Sequence, residues 1–121
     1  MRRRQAGAAS ERLESAVACF NASDGGRTVA GLARSLGSPR VSVGAAAGSS
    51  SQARITVAWD LCWYQWSVDA SSGTVAEVAR GTEVQQLDRA ARHWNALLGP
   101  GARIAFGAVA ASPRRRWLRR R

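Results

Sequence analysis

The side chains best suited to chemistry lie in one aromatic stretch of the chain, ITVAWDLCWYQWSVD over residues 55–69. Successive side chains of an extended strand point to opposite faces. One face of this strand would therefore carry a carboxylate, a thiol, a phenol and an indole, from Asp60, Cys62, Tyr64 and Trp66. The other face would be apolar and would lie on the core, with Ile55, Val57, Trp59, Leu61 and Trp63. We predict that the mixed face binds a protein partner or a second copy of the chain.

Tyr64 and Trp66 also have two other interpretations. Aromatic side chains on an open sheet stack on nucleic-acid bases, usually beside basic residues. This strand has only Arg54, at its start, for that purpose. Tryptophan also supplies a large buried area, and five tryptophans in 121 residues favour a role in the core or in self-association.

Asp60 is the candidate general acid or base, because apolar neighbours raise the pKa of a carboxyl group. Catalysis of that kind needs a positioned partner, and Cys62 and Tyr64 are its only titratable neighbours on the predicted face. The interpretation that we favour is structural: Asp60 pairs with an arginine or lies at the solvated edge of the sheet. We predict no enzymatic activity, since the chain has no Ser-His-Asp set, glycine-rich phosphate loop or paired carboxylates. A site with Asp60 and Cys62 in one pocket is the enzymatic alternative.

The two cysteines and the single histidine, Cys19, Cys62 and His93, lack the spacing of metal ligands. We therefore predict no metal site and no cofactor. His93 is expected on the surface, and both thiols are expected to be free, although two cysteines would permit one disulfide. No secretion signal is recognised, because Glu11 and Glu14 interrupt the early apolar residues. The predicted localisation is cytoplasmic, with no transmembrane segment.

The net charge of +10 is concentrated at the two ends of the chain. Residues 5–113 contain nine arginines and eight acids, so this part is almost neutral. The chain has no lysine, which we interpret as the bias of a high-GC genome. Polyanion binding, without sequence preference and with strong salt dependence, is predicted for Arg114, Arg115, Arg116, Arg119, Arg120 and Arg121. A solvated tail without a dedicated partner is the simpler alternative.

Hydrophobic periodicity predicts an α+β domain whose antiparallel sheet of three to four strands has helices packed on one face. The predicted order is αα-βββ-α-β, with helices over 10–21, 28–36 and 88–98 and strands over 40–46, 54–69, 74–84 and 104–106. The long aromatic strand would span roughly 55 Å, so a bulge or bend is expected inside it. The predicted domain covers residues 10–111, between disordered basic tails over 1–9 and 112–121.

The segment TVAGLARSLGSPRVSV, Thr28 to Val43, is similar to a helix-turn-helix, with Ala33 at the small-residue position and Gly37 at the turn. It departs from that motif in its second half. A recognition helix needs several polar side chains for base edges, whereas this half has β-branched alternation and a single arginine, Arg40. A small nucleic-acid-binding protein that uses this segment and the tails is the alternative to the interaction module.

The strand Trp59-Asp60-Leu61-Cys62-Trp63-Tyr64, preceded by RTVAGLARSLGSPRVSV, resembles a group of small uncharacterised proteins of high-GC bacteria. The resemblance covers about residues 11–106. It implies a shared fold and no specific activity, and it suggests that the arginine-rich ends are particular to this chain.

Overall fold

The computed structural model describes residues 2–46 and 51–107, with side chains from residue 11 onward. It confirms the α+β class, with an antiparallel sheet of six strands in the order β4-β3-β2-β1-β5-β6. The elements are α1 (Arg2–Asn21), α2 (Asp24–Leu36), β1 (Arg40–Ala45), β2 (Gln52–Ala58), β3 (Trp63–Asp69), β4 (Thr74–Gly81), β5 (Ala96–Leu98) and β6 (Ile104–Phe106). Three short 3-10 helices lie at Val84–Gln86, Arg89–Arg92 and Pro100–Ala102.

The prediction of three to four strands is wrong, because the sheet has six. One reason is that the aromatic stretch forms two strands, β2 and β3, instead of one. The chain reverses after β2, so that Ala58 pairs with Trp63 and Val57 with Tyr64. The N–H of Trp59 donates to the carbonyl of Cys62 at 2.8 Å and closes the turn. The interruption expected from strand length is thus a complete hairpin. Antiparallel pairing satisfies the backbone of both halves within one short sheet, which a single extended strand cannot do.

The predicted last helix over 88–98 is also wrong. Asp88 accepts the N–H of Ala91 on Oδ1 at 3.0 Å and so caps a helix, but this helix is a 3-10 helix of only four residues, Arg89–Arg92. Trp94 then adopts a left-handed backbone, with φ of 47°, and β5 follows at once. The residues over 96–98 satisfy their backbone by pairing with β1 and β6, rather than along a helix. The predicted last strand over 104–106 is confirmed as β6.

The two predicted N-terminal helices are present with wider bounds. The backbone of α1 is helical from Arg2, where the sequence predicts a disordered segment over residues 1–9. Ser23 caps α2 by accepting the N–H of Gly26, so the helix begins four residues earlier than predicted. A Cβ at Gly25 would lie 2.5 Å from Cε1 of Phe20. Glycine is needed there because α2 begins directly against the last turn of α1.

The main core lies between the two helices and one face of the sheet. Phe20 is fully buried and contacts Trp66 edge-on, with ring centres 4.9 Å apart. The helices contribute Ala16, Val17, Phe20 and Val29, and the sheet contributes Val41, Val43, Ala53, Ile55, Val57, Trp59, Trp66, Val68, Ala96 and Ile104. Ala16, Val17 and Phe20 recur at helical spacing, so one face of α1 lies on the core.

A second, smaller core lies on the opposite face of the sheet. Trp63 and Ala58 pack there against Leu87 and Ala91, with Trp94 at the edge. Leu87 and Ala91 belong to the segment over 84–92, which contains the first two 3-10 helices and which we call the 3-10 region. Both faces of the sheet are thus covered near the hairpin, one by α-helices and the other by 3-10 helices.

Two asparagine side chains replace strand partners. The amide of Asn95 accepts the N–H of Val43 at 2.8 Å and donates to its carbonyl at 2.9 Å. The amide of Asn21 does the same for Ile104, at 2.9 and 3.1 Å. A primary amide carries one acceptor and two donors and so reproduces the pairing of a strand residue. These contacts extend the β1–β5 pairing beyond Val41–Ala96 and attach α1 to β6.

The segment similar to a helix-turn-helix does not fold as one. Its first half is α2, but its second half is β1, which pairs with β2 on one side and β5 on the other. Val41 and Val43 are buried in the core. The β-branched alternation of this half therefore belongs to a central strand. The alternative prediction that this segment forms a DNA-reading helix-turn-helix is wrong.

Among the described helices, none has the length and apolar character needed to cross a membrane.

A candidate interaction surface at the hairpin tip

The four side chains predicted to share a partner-binding face do not share one. Trp66 is 4% exposed and lies in the helix-side core. Tyr64 is half-buried and stacks on Trp66, with ring centres 5.8 Å apart. Cys62 packs against the same core, whereas Asp60 is exposed. The structure brings Cys62, Tyr64 and Trp66 together beneath the helices and leaves Asp60 apart from them.

Arg80 covers the outer side of Tyr64. Its guanidinium carbon lies 5.1 Å from the centre of the tyrosine ring, a cation–π arrangement. Two hydrogen bonds join this guanidinium to Glu77, at 2.7 and 3.0 Å. The hydrogen bond with Glu77 and the charge of that carboxylate raise the pKa of Arg80 above its ordinary value. The half-buried Tyr64 ring therefore contacts both Trp66 and Arg80 of its own chain.

The side chain that the structure does present is Leu61, which the sequence placed in the core. It lies at the tip of the β2–β3 hairpin beside Asp60 and is 80% exposed. The turn changes the parity of the strand, so residues after it change faces relative to a continuous strand. Leu61 thus leaves the predicted core face, and Trp63 moves to the second core.

Two tryptophans hold the tip from opposite sides. The indole N–H of Trp59 donates to the carbonyl of Gly37, in the connection between α2 and β1, at 2.7 Å. The indole N–H of Trp63 donates to the carbonyl of Glu83 at 2.9 Å and approaches Oε1 of Gln86 at 3.3 Å. These contacts join the hairpin to the loops that flank it, and they fix the position of Leu61 between those loops.

Leu61 and Asp60 border two concave surfaces. One, of about 430 Å³, lies toward the end of α2 and includes Leu36 and Arg40. The other, of about 610 Å³, lies toward the 3-10 region and includes Arg40 and Glu83. Leu36 is 45% exposed, so two leucines lie among charged neighbours of both signs. We call Leu36, Arg40, Asp60, Leu61 and Glu83 the tip surface.

Arg40 links the tip surface to the second core. Its guanidinium carbon lies 4.7 Å from the centre of the Trp94 ring. Stacking on an aromatic ring leaves the donors of a guanidinium available at its edge. Arg40 is exposed, so it can contact an acidic group of another molecule.

Asp60 and Cys62 do not form one pocket. Asp60 borders the two open concave surfaces of the tip, whereas Cys62 packs on the helix side of the sheet. Both Cys19 and Cys62 carry free thiols. His93 is exposed, as predicted. Within residues 2–46 and 51–107, no group of three or more His, Cys, Asp or Glu side chains has the arrangement of a metal site.

The arginines predicted to bind polyanions, from Arg114 to Arg121, lie outside the described residues, as do the side chains of Arg2, Arg3 and Arg4. Their binding role stays a prediction.

Comparison with known proteins identifies no relative: no protein-family model, curated protein or solved structure matches this chain. The resemblance to small proteins of high-GC bacteria therefore stays a prediction.

Sequence reasoning missed Leu61 because periodicity assigns a residue to a face only while the strand continues. The signal that could have identified the turn is Asp60, a polar turn-forming residue in the middle of a stretch too long for one strand. The length of the aromatic stretch indicated that its strand is interrupted, but it did not indicate at which residue.

Proposed function

We propose that this chain is a non-enzymatic interaction module that associates with a second copy of itself through the tip surface. The observation that carries the proposal is the 80% exposure of Leu61 at the tip of an anchored hairpin. An exposed leucine alone is ordinary. Here it lies beside a second exposed leucine, Leu36, on the border of one concave surface, which is typical of a contact site.

The anchoring of the hairpin favours binding. Association costs free energy for ordering flexible segments, and a segment already fixed in place avoids most of this cost. Trp59 and Trp63 fix the two sides of the turn through their indole N–H groups. Leu61 is therefore presented in one position before any partner arrives.

The charges of the tip surface favour a second copy as the partner. Arg40 is basic, whereas Asp60 and Glu83 are acidic, and all three border the same concave surface. Under a two-fold axis the same surface meets itself, so that Arg40 of each copy can pair with an acid of the other. Two exposed leucines are a small part of the roughly 1,600 Å² of a standard interface. We therefore expect a dimer that dissociates on dilution.

Sedimentation velocity over a range of concentrations tests this proposal. Leu61→Asp is expected to weaken self-association at least tenfold, because it places two carboxylates near each other at the contact. The matched control is Val78→Asp on β4, which changes another exposed apolar residue, 48% exposed, outside the tip surface. Equal dimerisation of the wild-type chain and Leu61→Asp would place the contact elsewhere. A chain that is monomeric at every concentration would contradict self-association.

Nucleic-acid binding through the tails is the second candidate. The observation that favours it is the run of six arginines within residues 112–121. Binding of mixed DNA and RNA is expected to weaken steeply with salt and to disappear when residues 112–121 are removed. Retention of sequence-selective binding by the shortened chain would instead place a reader within the folded domain.

A further inference from the structure

A cavity lined by both polar and apolar residues lies on the sheet face opposite the α-helices, beyond the second core. Its volume is about 230 Å³. Residues of β1, β2 and β3 form the floor of the cavity, and the 3-10 region forms one wall. The lining residues used in the argument below are Ser42, Gly44, Arg54, Thr56, Gln65 and Asp88. Neither the tip surface nor the main core includes any of these residues.

Arg54 is the unusual member of this cavity. The side chain is half-buried, and its Nε has less than 1 Å² of exposed area and no hydrogen-bond partner within the described part of the chain. An unsatisfied donor on a charged group is costly to bury. The guanidinium therefore gains from any acceptor that it can reach.

Space for such an acceptor lies beside Arg54. Gly44 is the β1 residue opposite Arg54 in the sheet. A Cβ at Gly44 would meet no atom within 4 Å, so this position leaves the neighbourhood of the guanidinium open. Because Nε of Arg54 has no hydrogen-bond partner among the described residues, the side chain can turn toward the cavity without breaking a hydrogen bond at that atom. Side-chain rotamer changes of this kind are common on binding.

The neutral polar side chains that line the cavity already make hydrogen bonds within the protein. Ser42 accepts the N–H of His93 at 3.2 Å. Gln65 donates from Nε2 to Oγ1 of Thr56 at 3.1 Å. Thr56 is 1% exposed, so its side chain is firmly placed.

Asp88 limits the charge that the cavity accepts. Its Oδ1 accepts the N–H of Ala91 at 3.0 Å, and within the described residues it makes no ion pair with Arg54. Arg54 balances one negative charge on a ligand, but the carboxylate of Asp88 opposes a second one. A monoanion is therefore favoured over a dianion.

We propose that this cavity binds a small monocarboxylate, with the guanidinium of Arg54 donating to the carboxylate oxygens. A planar guanidinium fork matches a carboxylate geometrically. The alanines of the wall, Ala90 and Ala91, contact the short apolar chain of the ligand. The volume lies below the 300–1,000 Å³ typical of larger ligands, which restricts the site to short-chain acids.

Nuclear magnetic resonance titration of the full ¹⁵N-labelled chain with butyrate tests the proposal. The Nε–Hε resonance of Arg54 is expected to shift and saturate, with inorganic phosphate binding at least tenfold more weakly. An Arg54 resonance that does not move, or equal affinity for phosphate, would overturn the assignment.

Variants separate this site from the arginine-rich tails. Arg54→Gln and Arg54→Lys are each expected to weaken butyrate binding at least tenfold, since Lys keeps the charge but lacks the fork. Arg80→Gln, a change to an exposed arginine outside the cavity, should leave binding unchanged. If the Arg54 variants do not fold, Gly44→Val fills the space beside the retained arginine and should weaken binding similarly. Unchanged affinity in the folded variants would contradict the proposal.

Discussion

Trp59 and Trp63, four residues apart, point to opposite faces of the sheet and donate their indole N–H groups to loops on opposite sides of one hairpin. The acceptors are the carbonyls of Gly37 and Glu83, at 2.7 and 2.9 Å. In a continuous strand the two rings would share a face. The turn between them is therefore what allows one tryptophan to enter each core, and it also exposes Leu61.

Removal of the indole N–H at position 59 should destabilise the fold. Trp59→Phe keeps an aromatic ring but leaves the Gly37 carbonyl without its donor, so we expect a loss of about 1–3 kcal/mol in the free energy of unfolding. Urea denaturation measures it. Trp94→Phe is the matched control, because Trp94 donates no indole hydrogen bond within the described residues and should lose less. Equal losses for the two variants would show that ring size, and not the hydrogen bond, matters.

Two glycines of α2 should respond oppositely to alanine. Gly25→Ala places a Cβ 2.5 Å from Phe20 and 3.1 Å from Nε1 of Trp66, so we expect destabilisation of about 1–3 kcal/mol. Gly31 is exposed, and a Cβ there meets nothing within 4 Å. Gly31→Ala should therefore stabilise the protein by about 0.5–1 kcal/mol. The two midpoints of thermal unfolding should move in opposite directions, and a common direction would contradict the packing argument.

Asn95→Ala removes both hydrogen bonds that Val43 makes with the amide of Asn95. The backbone groups of Val43 are then left unsatisfied, and Val43 is buried, so we expect a loss of roughly 2–4 kcal/mol. Amide hydrogen exchange at Val43 should also accelerate. Gln85→Ala, at an exposed position, is the control and should change stability by less than about 0.5 kcal/mol. A stable Asn95→Ala with unchanged exchange would be inconsistent with this role.

The β3–β4 turn should contribute a stability term that depends on pH. The Ser71 hydroxyl donates to Oδ1 of Asp69 at 2.6 Å, and this bond, with backbone N–H donors of Ser71 and Ser72, holds the pKa of Asp69 below its ordinary value of 3.8. Since the folded-state pKa is lowered, the stabilisation is present above pH 3.8 and is lost as pH falls through the folded-state value. Its size is reduced by solvent, because the turn is exposed.

Titration of the Asp69 carboxyl carbon by nuclear magnetic resonance checks this prediction. Ser71→Ala should return the pKa of Asp69 toward 3.8 and reduce the loss of stability in acid. Gln85→Ala, outside the turn, should leave the titration of Asp69 unchanged. A wild-type Asp69 that titrates at or above 3.8 would contradict the predicted direction.

The sequence alone predicted those elements whose pattern is local. A first helix, a strand at β1 and the short strand at β6 were correctly predicted, because hydrophobic periodicity acts within a few residues. The α+β class followed from the order of these elements. The interruption of the aromatic stretch was also expected, since its length exceeds that of an ordinary strand.

Only the tertiary structure decided those features that depend on contacts between residues far apart in the sequence. Residues 96–98 have a pattern that fits a helix, but pairing with β1 and β6 makes them a strand. The position of the turn between Trp59 and Cys62 decided which face each aromatic residue occupies, and the alternation of the stretch does not locate that turn. The exposure of Leu61 and the cavity beside Arg54 follow from that turn and from the packing of the 3-10 region. Both candidate sites therefore exist only in the folded sheet, because the residues that form each one come from elements far apart along the chain.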